Sequence, residues 1–301
     1  DLSAKGMLMD NRFANRGAIG GALSMDPTQT TDFLWKNPDG SPLFVAPMNP
    51  LTQLYDQDDE SSVQRFLGNL QLEYKLHFLP DLKARVNMGI DRSYTDGTVI
   101  IPEGSFLGYA TYHGDGRYTQ YNQNKKNALF NFLLDYNKAF GESRINALLG
   151  YEWQHFYRDG KTVTTSTDAT LGYENSDYKS EFYLVSFFGR LNYILKDRYA
   201  LTFTLRDDGS SRFSKETRWG LFPSAAFAWT ISREPFFQND IVSNLKLRLG
   251  YGITGQQNLS DDDYPYQAVY RFAETGANYL FGSTYVQTAR PSGYDRNLKW
   301  E

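Results

Sequence analysis

The sequence predicts an all-β chain that forms part of an antiparallel transmembrane β-barrel, with short turns at one end of its strands and long loops at the other. Three observations predict it. Apolar and polar residues alternate with period two over long segments from about Ser62 onward, as strands with two different faces require. The connections between those segments alternate between short and long, an asymmetry of outer-membrane barrels. Aromatic residues gather beside the short connections, where the rings of an interfacial girdle belong.

The composition suits that class. Among 301 residues there are 22 Tyr, 21 Phe and 25 Gly, a profile that favours strands over helices. There is no Cys, which excludes disulfide scaffolds, thiolate metal sites and Cys nucleophiles together. The net charge is −4 and no basic run is present, so no nucleic-acid partner is expected. No stretch approaches the roughly 20 apolar residues of a membrane helix, and the mean hydropathy is −0.55. Barrel strands escape both tests, because their lipid-facing residues alternate with polar ones.

The strands follow in order. In the first, Phe66, Leu70, Leu72, Tyr74, Leu76 and Phe78 oppose Asn69, Gln71, Glu73, Lys75 and His77. After Pro80-Asp81, Leu82, Ala84, Val86, Met88 and Ile90 oppose Lys83, Arg85, Asn87 and Asp91. A long connection, 96–123, leads to Phe130, Phe132, Leu134 and Tyr136. Across the short Gly141-Glu142-Ser143 come Ile145, Ala147, Leu149, Tyr151 and Trp153 against Asn146, Glu152 and Gln154.

Another long connection, 166–181, precedes Val185, Phe187, Leu191 and Tyr193, and the short Lys196-Asp197 precedes Tyr199, Leu201, Phe203 and Leu205. The seventh strand covers Leu221 to Ile231, and the eighth sets Leu245, Leu247, Leu249 and Tyr251 against Lys246 and Arg248. Weaker strands are expected near Tyr270, Tyr279 and Tyr285. The connection Ser232 to Asn244 is longer than its place in the pattern predicts.

Residues 1–61 read as an irregular extracellular region with room for short strands, since Pro27, Asn37 to Pro42, Pro47 and Asn49-Pro50 carry turn chemistry. Residues 62–301 read as one incomplete barrel domain. The start DLSAKGMLMD, without initiator Met or signal peptide, and the stop at Asn297-Leu298-Lys299-Trp300-Glu301 suggest an internal piece. Alternation alone also fits a soluble sandwich, apolar inside. Strands longer than ten residues favour the barrel, because globular strands cluster near five or six.

Several stretches then resemble one family. They are Leu184-Val185-Ser186-Phe187-Phe188-Gly189-Arg190-Leu191-Asn192-Tyr193 with Lys196-Asp197-Arg198-Tyr199, and Leu205-Arg206-Asp207-Asp208-Gly209-Ser210-Ser211-Arg212-Phe213. Arg218 to Ser224, Asn244 to Gly252, Thr254-Gly255-Gln256-Gln257, Tyr264-Pro265-Tyr266, the terminal Asn297 to Glu301 and the early Ala22 to Thr28 follow the same pattern. In this order they resemble the SusC/RagA family of TonB-dependent outer-membrane transporters. Asp295-Arg296 departs from the family's usual Asn-Pro before the terminal motif.

The resemblance implies a barrel of about 22 strands, the class with a plugged lumen, of which this chain would supply about eight to ten of the antiparallel strands. It further implies active import of oligosaccharides or peptides across the outer membrane of a Gram-negative bacterium. The implied partners are a SusD-like surface lipoprotein as lid and the TonB complex, reached through an N-terminal region, besides the lipid bilayer.

No catalytic constellation emerges, and no enzyme is expected. His77, His113 and His155 lack metal-ligand spacing, and no nucleophile elbow, phosphate loop or dinucleotide fingerprint is present. Asp207-Asp208 lies beside Arg206 and Arg212, which would depress both carboxyls, so a charge-paired rim is the better reading than an acid pair. Asp56 to Glu60 and Asp261-Asp262-Asp263 could hold Ca²⁺ but lack EF-hand spacing; no cofactor or metal is expected.

Tyr109, Tyr112, Tyr118 and Tyr121 in the long connection could stack on sugar rings, or pack the loop on itself. Lys75, Arg85, Glu152, Arg190, Arg206 and Arg248 would face the lumen, pairing with one another or docking a plug, if the apolar faces meet lipid. The alternatives are a passive pore or glycan-binding barrel without energy coupling, and a soluble β-sandwich carbohydrate-active protein.

Overall fold

A computed structural model of the chain describes residues 1–14, 17–26, 49–108, 115–166, 173–237, 241–258, 263–272 and 277–301. One antiparallel sheet holds nine strands, each paired only with its neighbours in sequence. They are β1 (Leu2–Phe13), β2 (Asp58–Lys75), β3 (Leu82–Ile101), β4 (Arg117–Phe140), β5 (Ser143–Ser166), β6 (Tyr173–Leu195), β7 (Tyr199–Ser210), β8 (Trp219–Thr230) and β9 (Lys246–Gly252). Outside it, β10 (Tyr270–Phe272) pairs with β13 (Ala289–Pro291), and β11 (Asn278–Phe281) with β12 (Thr284–Gln287). Two short helices, α1 (Gly17–Ser24) and α2 (Pro50–Tyr55), lie between β1 and β2.

The eight expected strands are β2 to β9, and the weaker ones near Tyr270, Tyr279 and Tyr285 are β10, β11 and β12. The expected boundary at residue 62 needs correcting, because β1 pairs along its whole length with β2, from Leu2↔Leu70 to Phe13↔Asp59. Its outer positions include Ala4 and Gly6 while Met7 and Met9 fall on the other face, so its alternation is faint in the sequence. The long connections are also shorter than expected. β3 runs to Ile101 and β4 starts at Arg117; these ends carry no period of two, since Val99-Ile100-Ile101 is an unbroken apolar run and 117–126 is polar but for Tyr118 and Tyr121.

The register joins separate alternations into two continuous surfaces. Leu72 stands opposite Val86, then Phe132, Tyr151 and Phe187 follow across successive strands. One level nearer the short turns stand Ala84, Leu134, Leu149, Gly189, Leu205 and Pro223. Paired residues share a face, so every apolar set falls on the same one.

That face has no second layer over it: Leu149 is 61% exposed, Leu249 60% and Phe203 52%. A sandwich would cover it with another sheet about 10 Å away. Bounded by Tyr193, Tyr199 and Trp229 at one edge and Trp153, Tyr183 and Trp219 at the other, it has the form of a lipid-facing band with aromatic borders.

Turn chemistry closes the short-turn end. Gly141 has φ +56°, as the first central position of a two-residue hairpin favours. Lys196 and Asp197 both have positive φ, 55° and 52°, the type I′ pattern that matches strand twist. Lys138–Asp81 (3.2 Å), Lys196–Glu142 (3.4 Å) and Arg144–Asp197 pair the turns to one another.

At the other end, α2 starts on Asn49, whose side chain accepts from the Leu51 amide at 3.0 Å. The segment after β9 turns back over the polar face. There Trp300 packs on Phe213 and Phe222, and its Nε1 donates to the Arg218 carbonyl at 2.9 Å.

Candidate functional site: the polar wall and its rim

The face opposite the apolar band carries the chemistry. At the short-turn end, on the aromatic border of the apolar band itself, Glu234 is the hub of a latch, just after a 3-10 turn at Ile231–Arg233. Its carboxylate accepts from the Tyr199 hydroxyl (2.5 Å), Trp229 Nε1 (2.9 Å) and Arg198 (3.1 Å). This accounts for the over-long connection 232–244: its Glu-Pro-Phe start folds back on β7 and β8.

The Tyr199 hydrogen bond, with help from Trp229 and Arg198, holds the Glu234 carboxyl below its ordinary value of 4.5. A carboxyl depressed in the folded state contributes stability that is complete above the ordinary value and is lost as pH falls through the folded one. Barrel stability, read as the temperature at which heat-modifiable gel migration is lost, is therefore expected to be level from pH 7 to pH 5. It should drop below about pH 4, and Glu234→Gln should flatten that drop.

Midway along the wall, Arg206 binds three neighbours on three strands. Its Nε donates to Asp208 at 2.7 and 2.9 Å, and its Nη2 to Ser186 at 2.8 Å and Glu152 at 3.3 Å. The guanidinium also lies 5.2 Å above the Phe188 ring. Phe188 can lie flat because Gly150 stands opposite it across the strands; a Cβ there would fall 2.2 Å from the ring. At the same level but four and five strands away, on β3 and β2, Glu73 accepts from Lys83 and Arg85 at 3.0 Å each, and Asn87 on β3 donates to Asn131 on β4 at 2.8 Å.

Beyond the aromatic border, the polar face ends in a cavity of about 600 Å³ lined by Lys125, Phe156, Arg158, Phe182, Arg212 and Gln257 among others. Phe156 and Phe182 stack with centroids 4.8 Å apart, and Arg212 covers Phe182 at 4.8 Å. Arg212 is held by Asp263 (3.1 Å) and Asn258 (2.8 Å). Lys125 and Arg158 are directly opposite partners, and Arg158 lies 5.4 Å above the Tyr178 ring.

All six charged residues expected in the lumen, Lys75, Arg85, Glu152, Arg190, Arg206 and Arg248, share this face by register. Arg85, Glu152 and Arg206 are in ion pairs; Lys75, Arg190 and Arg248 form none among the described residues. Tyr118 and Tyr121 sit on β4, not in a loop. Tyr121 lies over Gly97 and donates to Asp59 at 3.3 Å, while Tyr118, 40% exposed, points the opposite way. Tyr109, Tyr112, Asp261 and Asp262 lie outside the described residues.

Of the acidic run 56–60, Asp58 and Glu60 pair with Arg12, and no group of metal-competent side chains forms among the described residues. Asp208 pairs with Arg206, but Arg212 turns to Asp263 instead. The cavity at the rim was missed because its parts come from five separated stretches, 125–127, 156–158, 180–182, Arg212 and 256–258 with Asp263, that no local spacing connects.

A strand wall with a lipid-facing band between aromatic borders and a charged opposite face defines part of a β-barrel of the outer membrane. The family described as "TonB dependent receptor-like, beta-barrel" matches residues 10–301, and the chain belongs to it. It is 40% identical over its whole length to the TonB-dependent receptor SusC of Bacteroides thetaiotaomicron, covering 32% of that protein. TonB-dependent receptor P3 of Formosa agariphila is 30% identical over 84% of the chain, which covers 26% of it.

The chain thus spans about a third or less of the relatives it matches. The RagAB peptide importer in its open-open state shares the fold, with TM-score 0.69 at 19% identity over 90% of this chain and 29% of that one.

Proposed function

We propose that the chain forms part of the wall and rim of a TonB-dependent importer that takes up oligosaccharides. In this reading substrate settles between rim and plug, a SusD-like lipoprotein closes over it, and TonB draws on the plug through an N-terminal region. Lys75, Arg190 and Arg248, with charge left over, dock the plug; Arg85, Glu152 and Arg206 stiffen the wall behind it. The supporting observation is 40% identity to SusC over the whole of this chain, together with an inner rim of stacked rings and cations that suits sugar faces.

Peptide import is the second reading, favoured by the likeness to a structure described as a peptide importer. The test is uptake of fluorescent oligosaccharides by cells carrying the full-length protein, with TonB present or deleted. Uptake that requires TonB is the expected result. Uptake indifferent to TonB would indicate a passive pore, and uptake of peptides alone would replace oligosaccharide as the substrate.

A further inference from the structure

The cavity at the rim holds more positive charge than its own residues balance. Of its lining cations, Arg212 is matched by Asp263 (3.1 Å), the lining's single carboxylate. Lys125 and Arg158 have no ion pair among the described residues, yet they stand directly opposite each other on β4 and β5. Like charges facing across a sheet are destabilising, and a third cation, Arg212, borders the same cavity.

Two buried polar atoms of the lining, Arg212 Nε and Gln257 Oε1, have no hydrogen-bond partner among the described residues. Such groups are rare unless something else satisfies them. A donor, an acceptor and two unmatched cations thus border one cavity beside the stacked rings of Phe156 and Phe182. Flat apolar rings offer a platform to the C–H face of a sugar, and ammonium or guanidinium groups bind oxyanions through charge-assisted hydrogen bonds.

We propose that this cavity is a subsite for an acidic oligosaccharide, one whose sugars carry carboxylate or sulfate groups. Lys125 and Arg158 take the oxyanion, Phe156 takes a ring face, and Arg212 and Gln257 take ring hydroxyls. The proposal rests on the oligosaccharide-import reading and narrows it. Because the cavity lies beyond the aromatic border, on the long-loop side, its ligand meets it before the level of Arg206.

The test uses the full-length transporter with its lid partner in detergent, titrated calorimetrically with hexagalacturonate, a κ-carrageenan hexasaccharide and maltohexaose. The carboxylate or the sulfate hexamer should bind at least about tenfold tighter than the neutral one, an advantage that shrinks with added salt; which acidic hexamer wins identifies the anion. Lys125→Gln with Arg158→Gln should erase that advantage while leaving maltohexaose binding and heat-modifiable migration unchanged.

Equal binding of all three, or an advantage that survives both substitutions, overturns the subsite while oligosaccharide import stands. Failure of all three, with a Glu-rich peptide binding instead, overturns both.

Discussion

Arginine in place of Leu149 is expected to cost the barrel about 2–4 kcal/mol and to lower its yield in the outer membrane, the penalty for a cation on the lipid face near mid-bilayer. Leu149 is 61% exposed, and on a soluble protein such a change would be nearly neutral. The control lies one residue away. Leu148 faces inward between Asp135 and Arg190, where an arginine meets a carboxylate and water. Leu148→Arg should assemble at near the parental level. The measurement is urea unfolding from lipid vesicles, and equal penalties at the two positions would mean that the apolar face does not meet lipid.

Removing Arg206 has the next largest expected effect. Arg206→Ala leaves Asp208 and Glu152, with side chains 12% and 18% exposed, on the same wall without their cation. Stripping one partner from a buried pair is strongly destabilising, and the partial exposure of Arg206 reduces the figure to about 2 kcal/mol. Arg206→Lys should recover only part, since an ammonium cannot serve Ser186, Glu152 and Asp208 with one planar fork. Unfolding midpoints for the two variants check this; an unchanged midpoint in Arg206→Ala would remove the network from any account of wall stability.

Much of the fold was legible because lipid favours apolar outward residues at each membrane level, a rule to which Asp207, between Phe187 and Leu221 one level inside the aromatic border, is an exception. That rule wrote the alternation of Leu82 to Ile90 and of Ile145 to Trp153 into the chain. Where a strand leaves the bilayer the rule lapses, which is why Thr98 to Ile101 and Arg117 to Gln123 read as loop although they pair in register. β1 was obscured for another reason: Ala4 and Gly6 on its outer side carry little hydrophobic signal.

The inward charges were legible as a face but not as partners. Asp208 is two residues from Arg206, but Ser186 and Glu152 reach it only through the register of three strands. The rim cavity depends further on the chain beyond β9 folding back, so that Gln257 and Asp263 meet Arg212. No local pattern announces that return.

Strand lengths give this stretch of the barrel an uneven height. β4 and β5 have 24 residues each, β7 and β8 only 12. At about 3.3 Å per residue and a tilt near 45°, those lengths project to roughly 55 Å and 28 Å along the membrane normal. The bilayer's apolar slab accounts for about 25 Å. The low side therefore ends close to the lipid headgroups, while the high side stands about 25 Å further into the medium. The mouth is stepped here, a low sill at β7 and β8 beside the high wall of β4 to β6.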